Sequence, residues 1–106
     1  MDSRLIFTST TKLSHTLQWA DWIHIGTGSE LKVDLLLESI VKIFPPKKLL
    51  LVRGRTNSIE IDKEKVFETI SSLFDKEDFQ LWDLPMTICI SFNKIGVMRV
   101  GKKSKP

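Results

Sequence analysis

The apolar positions of this chain fall into two spacings, and those spacings predict most of its elements. Residues 29–44 show the helical one. Val33, Leu36, Leu37, Ile40, Val41 and Phe44 recur at i, i+3 and i+4, the stripe of one helix face. Leu31, Leu35 and Ile43 widen that stripe beyond an ordinary half-buried face, so this helix is either central to the core, the preferred reading, or partly covered by a partner. Ser29 offers a hydroxyl acceptor at its start, and Glu30 places negative charge at the positive end of the dipole. Pro45-Pro46 ends it, because a proline disfavours the α conformation before it and cannot donate an N–H. A second helix is predicted from Asp62 as N-cap to Phe74. Val66, Phe67, Ile70, Leu73 and Phe74 form its buried stripe, and Ile61 and Val66 a hydrophobic staple across the cap.

The other spacing is that of strands. Arg4–Ser9 reads as a short strand from its β-branched and aromatic content, followed by a loop at Thr10–Lys12. Lys48–Arg53 is a continuous apolar run, expected to be an inner strand covered on both faces. A turn at Gly54–Asn57 leads to the short alternating strand Ser58–Ile61. Phe79–Trp82 opens the last sheet region. Beyond it, Met86, Ile88, Ile90 and Phe92 face one way and Thr87, Cys89 and Ser91 the other. Asn93-Lys94-Ile95-Gly96 is a hairpin turn, with a glycine for positive φ, and the chain returns through 97–101.

Leu13–Ile25 fits both periods. As a helix it stacks Leu17, Ala20 and His24, with Trp19, Trp22 and Ile23 beside them. As a strand, Leu17, Trp19, Ile23 and Ile25 alternate, but Asp21 interrupts the apolar face. The helix is preferred, ended by Gly26-Thr27-Gly28. The expectation is an α+β fold: a single domain over 1–101 with a mixed or antiparallel sheet of about five strands, packed by two or three helices. A flexible basic tail over 102–106 follows.

Composition narrows the function classes. With 42% apolar and 27% charged residues, the chain is not of the disordered type. The net charge of +3 arises at the end: without Lys102, Lys103 and Lys105, basic and acidic residues balance. A neutral body lacks the electrostatic footprint of a dedicated phosphate binder. The lone Cys89 excludes an intramolecular disulfide and reads as a small buried hydrophobe. Met1-Asp2-Ser3-Arg4 lacks a signal-peptide layout and no apolar run is long enough to span a membrane, so a cytosolic setting is expected.

Catalytic chemistry has little support. Gly26-Thr27-Gly28-Ser29 lacks the Lys-Ser or Lys-Thr pair of a phosphate loop. His15 and His24 are not at zinc-ligand spacing, and Cys89 is the one available thiolate. Asp21 and His24 would meet at i, i+3 on a helix, but no nucleophile or second carboxylate is tied to them. The expectation is therefore a protein that is not an enzyme, with no cofactor and no metal. Arg53-Gly54-Arg55 suits either a phosphate or carboxylate clamp or two solvated residues at a strand end. The tryptophans are more informative. Trp19-Ala20-Asp21-Trp22 and Trp82-Asp83 set large amphipathic rings beside acids, as protein interfaces do. Trp82 is expected to be buried and Trp22 partly exposed. The candidate partner-binding set is Trp19, Asp21, Trp22, His24, Arg53, Arg55, Asp78 and Asp83.

With the Lys48–Arg53 strand, Trp82-Asp83 and Phe92-Asn93-Lys94-Ile95-Gly96-Val97 read, the chain resembles the small bacterial immunity proteins that accompany contact-dependent and other polymorphic toxins. The likeness is one of size, α+β build and missing catalytic set. It implies a one-to-one complex with a cognate toxin domain. These proteins share no common motif, so no functional residue is carried over. Nuclease inhibitors are often acidic, whereas this body is neutral, with a local acidic cluster at Asp75, Glu77, Asp78 and Asp83. The alternative is a small nucleic-acid-associated protein using Arg53, Arg55, Lys94, Arg99 and the tail, whose affinity would fall steeply with salt.

Overall fold

A computed structural model describes residues 2–26, 32–44, 48–73 and 76–103. Within them the chain is α+β. Helix α1 (Ser3–Ser14) comes first, then two short strands, β1 (Leu17–Trp19) and β2 (Ile23–His24). Helix α2 (Val33–Ile43) leads to β3 (Lys48–Val52) and β4 (Ile59–Asp62). A 3₁₀ turn at Lys63–Lys65 runs into the short helix α3 (Val66–Ile70). Strands β5 (Phe79–Asp83), β6 (Ile88–Asn93) and β7 (Val97–Lys103) close the chain. The sheet is antiparallel in the order β1-β7-β6-β5-β3-β4, with β2 also paired to β7, ahead of β1 along the same edge.

Both faces of the sheet are covered. Leu49, Leu51, Leu81, Ile90, Phe92 and Met98 point to the side of α2 and α3, where they bury Ile40, Phe44, Val66 and Ile70. Leu50, Val52, Trp82 and Cys89 point the other way and bury Ile6 of α1. The continuous apolar run of β3 is what two-sided burial requires, and Leu49–Val52 are all buried. The hairpin after β6 is as the sequence predicts: Gly96 donates to the Asn93 carbonyl at 2.9 Å and takes φ 99°.

Several expectations are corrected. Arg4–Ser9 is not a strand, nor Thr10–Lys12 a loop; both lie in α1. Asp2 caps this helix, its carboxylate accepting from the Arg4 N–H at 2.8 Å. Thr10 disguises the helical stripe as polar, yet it is buried because its hydroxyl donates to the Ile6 carbonyl at 2.8 Å. Ser3 anchors the helix to the β3–β4 turn, donating to the Arg55 carbonyl and accepting from the Ser58 N–H. Leu13–Ile25 is not a helix but the end of α1 followed by β1 and β2. Asp62 ends β4 and makes no side-chain cap bond, and α3 is far shorter than the helix expected to reach Phe74, which lies outside the described residues. Met86 takes φ 61° in the β5–β6 turn and packs with Leu50, Trp82 and Cys89, not with Ile88, Ile90 and Phe92. Lys102 and Lys103 are not a frayed tail: they pair with Gln18 and Leu17 in the sheet. The expected N-terminal cap at Ser29 lies outside the described residues, as do 104–106.

Candidate functional site

The site begins with a register change. Trp19 pairs with Gly101, but Ile23 pairs with Met98. Three residues, Ala20 to Trp22, thus face two on β7, Arg99 and Val100, which is the extra residue of a β-bulge. In a regular strand, Trp19 and Trp22 would point to opposite faces. The bulge brings both to the α1 side of the sheet, and Ala20 still donates to the Val100 carbonyl at 2.9 Å.

Arg99 meets both rings. Its guanidinium carbon lies 4.3 Å from the Trp19 ring centroid and 4.6 Å from that of Trp22. Both rings therefore present their negative faces to the cation. The Trp19 indole N–H donates to the Ser14 carbonyl at 3.0 Å, which ties the stack to the end of α1. Arg99 Nε is buried and has no hydrogen-bond partner among the described residues. A buried N–H without an acceptor is costly and calls for an explanation.

Helix α1 covers only part of its face of the sheet. At the edge of that covered strip, Val52, Gln80, Ser91 and Arg99 align across β3, β5, β6 and β7. Two cavities open along this row. One, of about 350 Å³, is lined by Ser14, His15, Trp19, Gln80 and Arg99. The other, of about 370 Å³, shares Ser14, His15 and Gln80 with it and reaches Ser91, Asn93, Arg53 and Asp78. The Gln80 side-chain oxygen accepts from the Trp82 indole at 2.9 Å, which turns the amide's two N–H donors elsewhere.

The sequence-derived set divides against this frame. Trp19 and Trp22 are brought together, and Arg53 and Asp78 line the same groove. Arg55 lines an adjoining apolar hollow, which shares Phe7, Thr11 and His15 with the larger cavity of the groove. Asp21 is exposed at the bulge and His24 is exposed in β2, so the helical Asp21–His24 pair does not form. Arg53 is held by Glu77, with Nε to Oε1 at 2.6 Å and a second bond at 3.2 Å. That hydrogen bond raises the arginine's pKa and lowers the glutamate's.

The expected acidic patch is not a shared surface. Asp75 lies outside the described residues, Glu77 is paired, and Asp78 accepts from the Lys94 N–H at 2.8 Å. Asp83 is buried and caps the β5–β6 turn, accepting from the N–H groups of Thr87 and Ile88 and from the Thr87 hydroxyl. It is a structural group, buried in its own turn rather than part of an exposed partner surface. Trp82 is fully buried and Trp22 is 46% exposed, both as the sequence suggests. Cys89 is buried too, and burial pushes its thiol pKa well up, opposed by the charge of Arg99. Among the described residues no cluster of three His, Cys, Asp or Glu side chains could hold a metal. None of the described helices is long and apolar enough to cross a membrane.

The residues that the sequence set left out are Arg99, Gln80 and His15. The alternation of β7 marks Arg99 as facing away from Met98 and Val100, but nothing local shows that two tryptophans meet it. No family model matches the chain, and no curated protein or solved structure matches it significantly.

Proposed function

We propose that this chain is a non-catalytic protein-binding module of the inhibitor type, which holds a cognate toxin domain at the Trp19–Arg99–Trp22 stack and the groove beside it. The observation that carries this reading is Trp22: a large ring left 46% exposed, stacked on an arginine whose buried Nε lacks an acceptor. Trp and Arg are among the residue types enriched at the energetic centres of protein interfaces: the Trp ring covers much area with few rotatable bonds, and Arg offers several donors in a planar fork. The toxin as target comes from the likeness in size and build to immunity proteins.

Of the basic residues of the nucleic-acid alternative, only Arg53 and Arg99 line the groove among the described residues. Arg53 is engaged by Glu77, Arg99 stands against two indoles, and Lys102 and Lys103 belong to β7. The test is capture from the native host with tagged protein, washed at low and then high salt. One stoichiometric protein that survives high salt and is lost with Trp22→Ala is the expected result. A complex of this kind would bury on the order of 1,200–2,000 Å². Nucleic acid released by salt, or no captured protein, would count against the reading.

A further inference from the structure

We infer that the cleft at Arg99 is a carboxylate site, which takes the side chain of an Asp or Glu from the protein partner. This rests on the protein-binding reading for the source of the carboxylate. The chemistry of the cleft is argued from its own groups. Both indoles stand against the guanidinium carbon, at 4.3 and 4.6 Å, and an indole offers no acceptor, so neither ring satisfies its N–H donors. No hydrogen bond or ion pair satisfies Arg99 among the described residues. Around it stand more donors: the Gln80 amide, whose oxygen is already used by Trp82, and the exposed His15 imidazole. Ser14 offers little as a donor, since its hydroxyl donates to Thr11 and its carbonyl accepts from Trp19. Among the described residues no carboxylate lines this cavity. The cleft therefore presents positive charge and donors without a matching acceptor.

A planar carboxylate fits that inventory. It accepts in-plane, two-point hydrogen bonds from a guanidinium fork, and the flanking rings hold the fork in one orientation. The stack also removes the arginine's conformational freedom before binding, which lowers the entropy lost on docking. Charge complementarity selects an acidic partner segment over a neutral one.

The test uses the full chain and follows its three indole N–H resonances during titration with glutarate at constant ionic strength, with inorganic phosphate in parallel. Glutarate is expected to shift the Trp19 and Trp22 signals saturably and leave Trp82 unmoved. Arg99→Gln should abolish the shift. Arg99→Lys keeps charge over the rings but loses the fork, so it should weaken binding about tenfold, and it gives the readout if the glutamine variant does not fold. The inference is overturned by no saturable shift in the wild type, by an equal shift in Arg99→Gln, or by phosphate saturating at lower concentration than glutarate. In the capture experiment, Arg99→Gln retaining the partner would also overturn it while leaving the binding reading in place. Failure of the wild type to capture any protein would count against that reading alone, because the titration decides the site without a partner.

Discussion

The indole of Trp19 occupies the space in which a side chain at Gly101 would begin. A Cβ on Gly101 would stand 2.8 Å from Trp19 Cε3 and 2.9 Å from Cδ2, closer than carbon atoms pack. The two residues are directly paired between β1 and β7. The missing side chain is thus what lets the ring lie against the sheet and meet Arg99, one alternation short of Gly101 on the same face.

Gly101→Ala should therefore lift Trp19 off the sheet and loosen the stack. The expected cost is about 1–3 kcal/mol, as for overpacking elsewhere in well-filled interiors. A lowered denaturation midpoint together with a red-shifted tryptophan emission would show it. An unchanged spectrum would place the indole elsewhere.

Asp83→Ala removes the acceptor for two backbone N–H groups and a hydroxyl in the β5–β6 turn. The turn also holds Met86 at positive φ, which a non-glycine residue adopts only with support. Leaving partly buried donors unpaired should destabilise by about 1–3 kcal/mol. Partner capture, in contrast, should survive at temperatures where the variant is folded, since Asp83 is buried and lines neither cavity beside the stack.

Glu77 carries the pH dependence that can be assigned. Its hydrogen bond to Arg53 lowers its pKa in the folded state. The resulting stability is present above the ordinary glutamate pKa and is lost as pH falls through the depressed folded value. Both side chains are about a third exposed, at 31% and 37%, so solvent screening keeps the pair small. Glu77→Gln should cost less than about 1 kcal/mol at neutral pH and make the acid limb of a stability profile shallower. A steeper acid limb in the variant would contradict the pairing.

Ile40 is buried where α2 meets the sheet, beside Phe44 and Ile70 in the larger core. Ile40→Ala should destabilise by about 2–5 kcal/mol, the sum of lost transfer energy and a cavity that the neighbours fill only in part. Equilibrium denaturation is the measurement, and a wild-type midpoint would remove α2 from its place on the sheet.

Legibility in the sequence followed how local each signal was. Helix α2, strand β3, the β6–β7 hairpin and the burial of Trp82, Ile40 and Cys89 could be read directly, because there the spacing of apolar residues and the turn glycine report the element that holds them. Helix α1 could not, because Thr10 looks polar until its hydroxyl bonds to the carbonyl one turn back. The segment around the tryptophans misled for a sharper reason. Its bulge sets Trp19, Trp22 and Ile23 at the spacings of a helix while the chain is extended. The sequence by itself determined an α+β domain, helix α2 and the inner strand β3, though its stripe turned Val41 inward where the structure leaves it exposed. Only the tertiary structure decided that Trp19 and Trp22 share a face and meet Arg99, because a register is set by the pairing of two distant strands and neither strand encodes it alone.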